Sequence, residues 1–196
     1  SQKKFKNLKI TIISKKKINT IKKNKKITLI KRNFQNVSKL PNCDYILYCL
    51  RTESVKDDNK LFTLFENKLI QLKKKPKIIF TSSGSIYGQN SKKEKIKETK
   101  KINSKNIKKM ENYKKKWSIQ KKNMEKNFYS LSGKNYKILI LRMFSFIGKN
   151  LLPQDYAPSI FIKSAMKIKS IKIYGPRDTY RSYLHEKDLV EWIVKI

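Results

Sequence analysis

Directly after the apolar run KIIF, residues 77–80, the stretch TSSGSIYGQN gathers Thr81, Ser82, Ser83 and Ser85 around Gly84. A hydroxyl held at the end of a buried strand can hydrogen-bond a reacting oxygen or work as a nucleophile. It can equally close a turn, since serine bonds readily to its own backbone. A nucleophile needs a base, and the single histidine, His185, stands in no motif with any of these serines. A packed histidine is the expectation there. Cys43 and Cys49 lack the paired spacing and histidine partners of a zinc site, so no metal is expected, and both are read as buried thiols in a reducing compartment.

The hydroxyl cluster needs elements to hold it. Apolar, β-rich runs recur at LKITIIS (8–14), KITLI (26–30), YILYCL (45–50), KIIFTSS (77–83), YKILILRMF (136–144) and IKIYG (171–175). Short, nearly continuous apolar strands suit a parallel sheet covered on both faces. Between them, 59–75 places Leu61, Leu64, Phe65, Leu69 and Leu72 on one helix face, and 117–131 does the same with Trp117, Gln120, Met124, Phe128 and Leu131. Strands alternating with helices of this length predict βαβ units, hence an α/β fold with a Rossmann-like, doubly wound parallel sheet. The lysine-rich segment 89–112 has almost no apolar anchors and reads as a solvated loop.

The chain has 196 residues, with 49 Lys+Arg against 14 Asp+Glu and a formal net charge of +35. Such a surface suits nucleic acid or another polyanion. Biased codon use explains it equally simply. Lys, Ile and Asn, whose codons are A/T-rich, are over-used together, Gly, Ala and Pro are scarce, and the lysines spread along the whole chain. With no zinc knuckle or stacking-platform motif, the sequence disfavours nucleic acid as the partner. No run approaches the roughly 20 apolar residues of a membrane span, and SQKKFKNLK at the start is no signal peptide. The expectation is a cytoplasmic protein with no membrane partner.

Five stretches then fall into a familiar order. CDYILYCL resembles D-x-V-I-H-x-A, and Asn59 with Thr63 an N-x-x-x-T helix start. TSSGSIYG resembles S-S-x-x-V-Y-G, followed by Glu98-Thr99 for E-[ST]. LRMFSFIGKN resembles L-R-x-x-N-V-Y-G-P, and IYGPRDTYRSYLHEKDLV resembles G-x-G-x-x-x-R-[DS]-[FY]-x-H-V-x-D. The chain from about 8 to 194 thus resembles the extended short-chain dehydrogenase/reductases, specifically the NAD-dependent epimerase/dehydratases acting on nucleotide sugars. That family binds its cofactor on a glycine-rich turn after the first strand, and the first glycine here is Gly84. The expectation is therefore a sheet lacking the first strand and glycine loop, with negligible cofactor binding by the chain as it stands. Residues 1–150 are expected to form a partial NAD(P)-binding domain, and 151–196 the start of a small substrate lobe with returning Rossmann elements.

The resemblance implies hydride transfer between NAD or NADP and a sugar hydroxyl or ketone. A tyrosine takes the proton, a lysine four residues later lowers its pKa and holds the ribose, and a strand-end Ser or Thr bonds the reacting oxygen. By position Ser83 is that serine, with Gly84 permitting a tight exit from the strand. The best register for Y-x-x-S-K-x-x-x-E is WSIQKKNME, which puts Lys121 on the lysine, Glu125 on the later glutamate and Trp117 on the tyrosine. An indole N–H only donates and cannot serve as a base. Tyr113, one turn earlier, is the substitute on the same face, about 6 Å away along the axis. The implied cofactor contacts are Asn33, Leu50, Ser82 and Lys121, and the implied substrate contacts Ser85, Ser145 and Arg181. Arg181 corresponds to the arginine that takes the substrate diphosphate in a bidentate fork. Many family members pair through two helices, which implies a homodimer. Three functions remain open: a nucleotide-sugar epimerase/dehydratase, a member that binds a nucleotide sugar or protein partner without turnover, and a basic nucleic-acid-binding protein.

Overall fold

Every strand that holds the hydroxyl cluster in place is short, apolar and followed by a break. In the computed structural model, the described residues are 8–16, 25–88, 96–149, 157–167, 170–173 and 182–195. Strand β1 (Ile10–Ser14) pairs in parallel with β2 (Ile27–Lys31), Ile10 opposite Ile27. A separate three-stranded sheet has the order β3 (Tyr45–Tyr48), β4 (Lys77–Ser83), β5 (Ile138–Met143), with β3 and β4 parallel. Helix α1 (Val55–Ile70) makes the crossover from β3 to β4. The α/β, Rossmann-like expectation is met: parallel strands and crossover helices, in three sheet pieces among the described residues.

Local chemistry sets the helix ends. Ser54 caps α1, its Oγ accepting from the Asp57 N–H at 3.1 Å, and Asp57 and Asp58 sit in the first turn where the helix dipole favours negative charge. The Asp58 carboxylate accepts from both the backbone N–H and the hydroxyl of Thr52, at 3.0 and 2.8 Å. Helix α1 stops at Ile70 with Gln71 as its C-cap, short of the expected 75, and a turn leads to Pro76. Helix α3 (Asn112–Ser132) runs without Gly or Pro and ends at Gly133, with Asn135 in the left-handed region at φ 61°.

The chain divides into two compact units, Ser1–Phe80 with Asn123–Ile140, and Thr81–Lys122 with Leu141–Ile196. The first is built on an aromatic core. Phe80 and Phe128 stack with centroids 4.5 Å apart, and Tyr48, Phe62 and Phe65 ring them edge-on or tilted. Leu61, Leu69, Ile78, Met124 and Leu131 complete the cluster, and Ile13, Ile46 and Leu50 pack on its margin.

The second unit contains the exit from β4, a short helix α2 (Ser104–Lys108), the first half of α3, and a C-terminal portion. There β6 (Ser145–Ile147) pairs in parallel with β7 (Tyr183–His185), α4 (Ala157–Met166) lies between them in sequence, and α5 (Glu186–Lys195) follows β7 directly.

Four expectations need correction. The presumed loop 89–112 contains α2, capped by Asn103 and anchored by Ile107, which is buried; residues 89–95 lie outside the described set. One isoleucine suffices as an anchor because Gly88, at φ 77°, lets the backbone of Asn106 and Ile107 come close: a Cβ there would meet Asn106 at 2.6 Å. Residues 171–173 form no strand, and 174–175 lie outside the described set. Cys43 is only half-buried and Cys49 is exposed, since β3 lies at the edge of its sheet. His185 is exposed, and its Nδ1 accepts from the Lys187 N–H at 3.3 Å, helping to start α5.

Candidate functional site

Strand β4 delivers the hydroxyl cluster to its carboxyl end, the edge of an open α/β sheet where ligands bind. Ser83 is its last residue and caps the 3-10 turn Gly84–Tyr87, its Oγ accepting from the Ser85 N–H at 3.2 Å. Gly84 matters for its missing Cβ. Its backbone has no positive φ, but a Cβ would come 2.7 Å from the Phe144 ring. Phe144 in turn stacks on Tyr87, at an interplanar angle of 15°. The Tyr87 hydroxyl accepts from Arg142 Nη1 at 2.9 Å and donates to the Glu98 carbonyl at 3.3 Å. These contacts fix the turn that carries Ser83 and Ser85.

Helix α3 brings the second half of the site. Lys121 is 7% exposed, and its ammonium donates to the Thr81 carbonyl oxygen at 2.6 Å. The same nitrogen lies 4.8 Å from the centroid of the Trp117 ring. An ammonium against an aromatic face is favourable where water is excluded, so Trp117 shields the charge that Thr81 receives. Ser118, with no exposed surface, holds this register. Its hydroxyl donates toward the carbonyls of Lys114 at 2.8 Å and Ser85 at 3.0 Å, tying α3 to the turn.

The structure therefore gathers Ser82, Ser83, Ser85 and Lys121 at one place. Ser82 is buried within β4. The Ser85 Oγ is shut off from solvent and has no hydrogen-bond partner among the described residues. A buried, unpaired hydroxyl is costly, so this atom fits a ligand oxygen or nitrogen. Ser145 opens β6, next to Phe144, with Tyr183 opposite it. Tyr113 is elsewhere: it is 69% exposed, with the Lys114 ammonium 5.3 Å from its ring. Lys114 pairs with Glu111 at 2.8 Å, and that pairing raises the lysine pKa and lowers the glutamate pKa, with Tyr113 a smaller cause. Tyr113 thus belongs to a surface cluster at the start of α3. Asn33 and Leu50 belong to the other unit. The Asn33 side chain caps the 3-10 turn Phe34–Asn36, and Leu50 packs on the aromatic core. Arg181 lies outside the described residues.

Sequence reasoning missed Thr81, Ser118, Tyr87 and Arg142. A carbonyl acceptor has no side-chain signal. Ser118 and Arg142 stand inside the quoted stretches as ordinary helix and strand residues. Among the described residues, no group of three or more His, Cys, Asp or Glu could hold a metal ion, and no helix is long and apolar enough to cross a membrane.

The sequence model of the NAD dependent epimerase/dehydratase family matches residues 18–196. A search of curated proteins gives no match. Solved structures are similar in fold. The UDP-glucuronic acid 4-epimerase of Bacillus cereus, in complex with UDP-glucuronic acid and NAD, superposes with a TM-score of 0.70 at 19% identity, over 87% of this chain and 55% of that one. The UDP-glucose 4-epimerase of Thermotoga maritima, with UDP-glucose, gives 0.70 at 17% identity over 93% and 63%. The dTDP-glucose 4,6-dehydratase of Bacillus anthracis, in complex with NAD, gives 0.71 at 15% over 98% and 64%. The chain thus spans less than two thirds of the length of each of these structures.

Proposed function

From its membership of the NAD dependent epimerase/dehydratase family, the family whose pattern covers 18–196, we propose that the chain carries the reaction site of a nucleotide-sugar epimerase or dehydratase. The reaction is hydride transfer between a nicotinamide cofactor and a sugar hydroxyl or ketone. What supports it most is the meeting of Lys121 with the carboxyl end of β4, its Nζ 2.6 Å from the Thr81 oxygen, two residues before Ser83. The buried, unpartnered Ser85 Oγ supports a polar ligand at the same end.

The residues fit an NAD(P) group in this way. Lys121 would hold the cofactor ribose, as the family pattern has it, and Ser82 would lie on the cofactor side. Bound there, the nicotinamide would supply the hydride acceptor. Ser83 would orient the reacting sugar oxygen, and Ser85, Ser145 and Arg181 would bind the remainder of the nucleotide sugar. Trp117 can take no proton, so deprotonation of the hydroxyl falls to solvent or to a group on the substrate. Losing a positioned base costs about 10²–10⁴ in rate, and slow turnover is expected.

The test places a glycine-rich strand-turn-helix ahead of Ser1 and, because the hydride returns to the sugar within each turnover, follows formation of the epimerised or dehydrated sugar by NMR, with NAD⁺ or NADP⁺ and UDP-glucose, UDP-glucuronate or dTDP-glucose. Cofactor-dependent conversion of the sugar that disappears in Ser83→Ala supports the reading. Cofactor and sugar binding without any conversion of the sugar, even in Trp117→Tyr, rules out the reaction.

A second reading is favoured by one observation: the Lys121 charge is already engaged by Thr81 and the Trp117 ring. In this reading the chain binds a nucleotide sugar, or a protein partner, without turnover. Trp117→Tyr distinguishes the two, because turnover gained only in that variant marks a site that binds but does not react.

A further inference from the structure

At the other end of β4 the sheet gathers a second set of residues. Strands β3 and β4 run parallel and in register, Tyr45 opposite Lys77, so their first residues share one edge. The Lys77 N–H donates to the Asp44 carbonyl and the Ile78 N–H to the Lys137 carbonyl, each at 2.9 Å, which brings Lys137 to the same edge. Lys74 and Lys75 arrive in the turn that enters β4. Together Asp44, Tyr45, Lys74, Lys75, Lys77 and Lys137 line a cleft of about 460 Å³, within the size range of small-molecule sites.

Four lysines face one aspartate in this cleft, and three of them are held by neighbours. Lys74 pairs with Asp44. Lys75 donates to the Lys134 carbonyl at 2.8 Å and lies over the Tyr136 ring. Lys77 Nζ lies 3.4 Å from the Tyr45 hydroxyl and 5.2 Å from its ring centroid. The Tyr45 side chain is nevertheless 51% exposed. A groove of ammonium groups around a half-exposed aromatic ring is the chemistry that holds single-stranded nucleic acid, with phosphates on the cations and a base on the ring.

We propose that this cleft at the amino ends of β3 and β4 is a binding site for single-stranded nucleic acid, with the lysines on phosphates and Tyr45 stacking a base. It is separate from the site at Ser83 and does not depend on it.

Because the whole chain is strongly basic, the test must separate a site from diffuse attraction. Anisotropy of a labelled oligouridylate of about twelve nucleotides is titrated with the chain over a series of salt concentrations. Lys77→Gln/Lys137→Gln is compared with Lys56→Gln/Lys60→Gln, which removes the same charge from exposed positions on α1. The cleft pair is expected to weaken binding about tenfold with a shallower salt slope, and the α1 pair less than about twofold. Tyr45→Leu is expected to weaken RNA binding about fivefold and leave heparin binding unchanged. Equal losses in the two charge pairs would overturn the site. Equal effects of Tyr45→Leu on RNA and heparin would overturn the assignment to nucleic acid. Thermal melting of each variant verifies that these exposed substitutions leave the fold intact.

Discussion

Lys121 and Thr81, forty residues apart in sequence, are joined by a 2.6 Å hydrogen bond from ammonium to backbone carbonyl. The bond ties the middle of α3 to β4 and sets Trp117 over the charge. Replacing Lys121 with Met removes a charge-assisted hydrogen bond and the cation–π contact. The expected loss is about 1–3 kcal/mol, read from urea unfolding, although the replacement is apolar and of similar length.

Gly84 and Phe144 are a coupled pair. Gly84→Ala pushes a methyl group into the Phe144 ring, 2.7 Å away, and overpacking of this kind costs about 1–3 kcal/mol. Phe144→Ala clears the space, so the double variant should be more stable than the sum of the two single losses implies. Denaturation midpoints of the four proteins in the cycle measure this. Additive losses would mean that the turn gives way, not the ring.

In the first unit Phe128 is the centre of the aromatic core, with no exposed surface and with Tyr48, Phe62, Phe65 and Phe80 against it. Phe128→Ala should cost about 3–5 kcal/mol. Thermal unfolding should show the largest single loss in stability of the variants named here.

Stability should fall at alkaline pH through Tyr48. Burial, with the Asp58 charge as a smaller cause, raises its pKa well above the ordinary tyrosine value. Above about pH 10, where an unfolded tyrosine ionises, the folded state holds a proton that the unfolded state has released. Stability is therefore full below that pH and declines above it. Tyr48→Phe should flatten this decline when unfolding free energies are compared between neutral and alkaline buffer. An unchanged slope would place the cause in another group.

The sequence made the sheet and the two long helices legible, since KIIFTSS and the Leu61–Leu69 face carry their own periodicity. It was silent where one side chain or a close backbone approach decides. Ile107 anchors α2 only because Gly88 admits it, and β6 and β7 have three residues each, too few for a pattern. At the site, Ser83 and Lys121 were readable from spacing, while their meeting point, the Thr81 carbonyl, has no signature in residue type. Tyr113 was placed on the right helix, yet a continuous α3 carries it one turn away to an exposed position beside Glu111 and Lys114.

Turnover by Trp117→Tyr tests the account most directly. In the chain carrying a glycine-rich segment ahead of Ser1, with NAD⁺ and UDP-glucose, UDP-glucuronate or dTDP-glucose, a phenol at position 117 should raise cofactor-dependent conversion of the sugar by about 10²–10⁴ over the tryptophan form. Conversion that stays absent in Trp117→Tyr, although cofactor and sugar both bind, would contradict a reaction site built on Ser83 and Lys121.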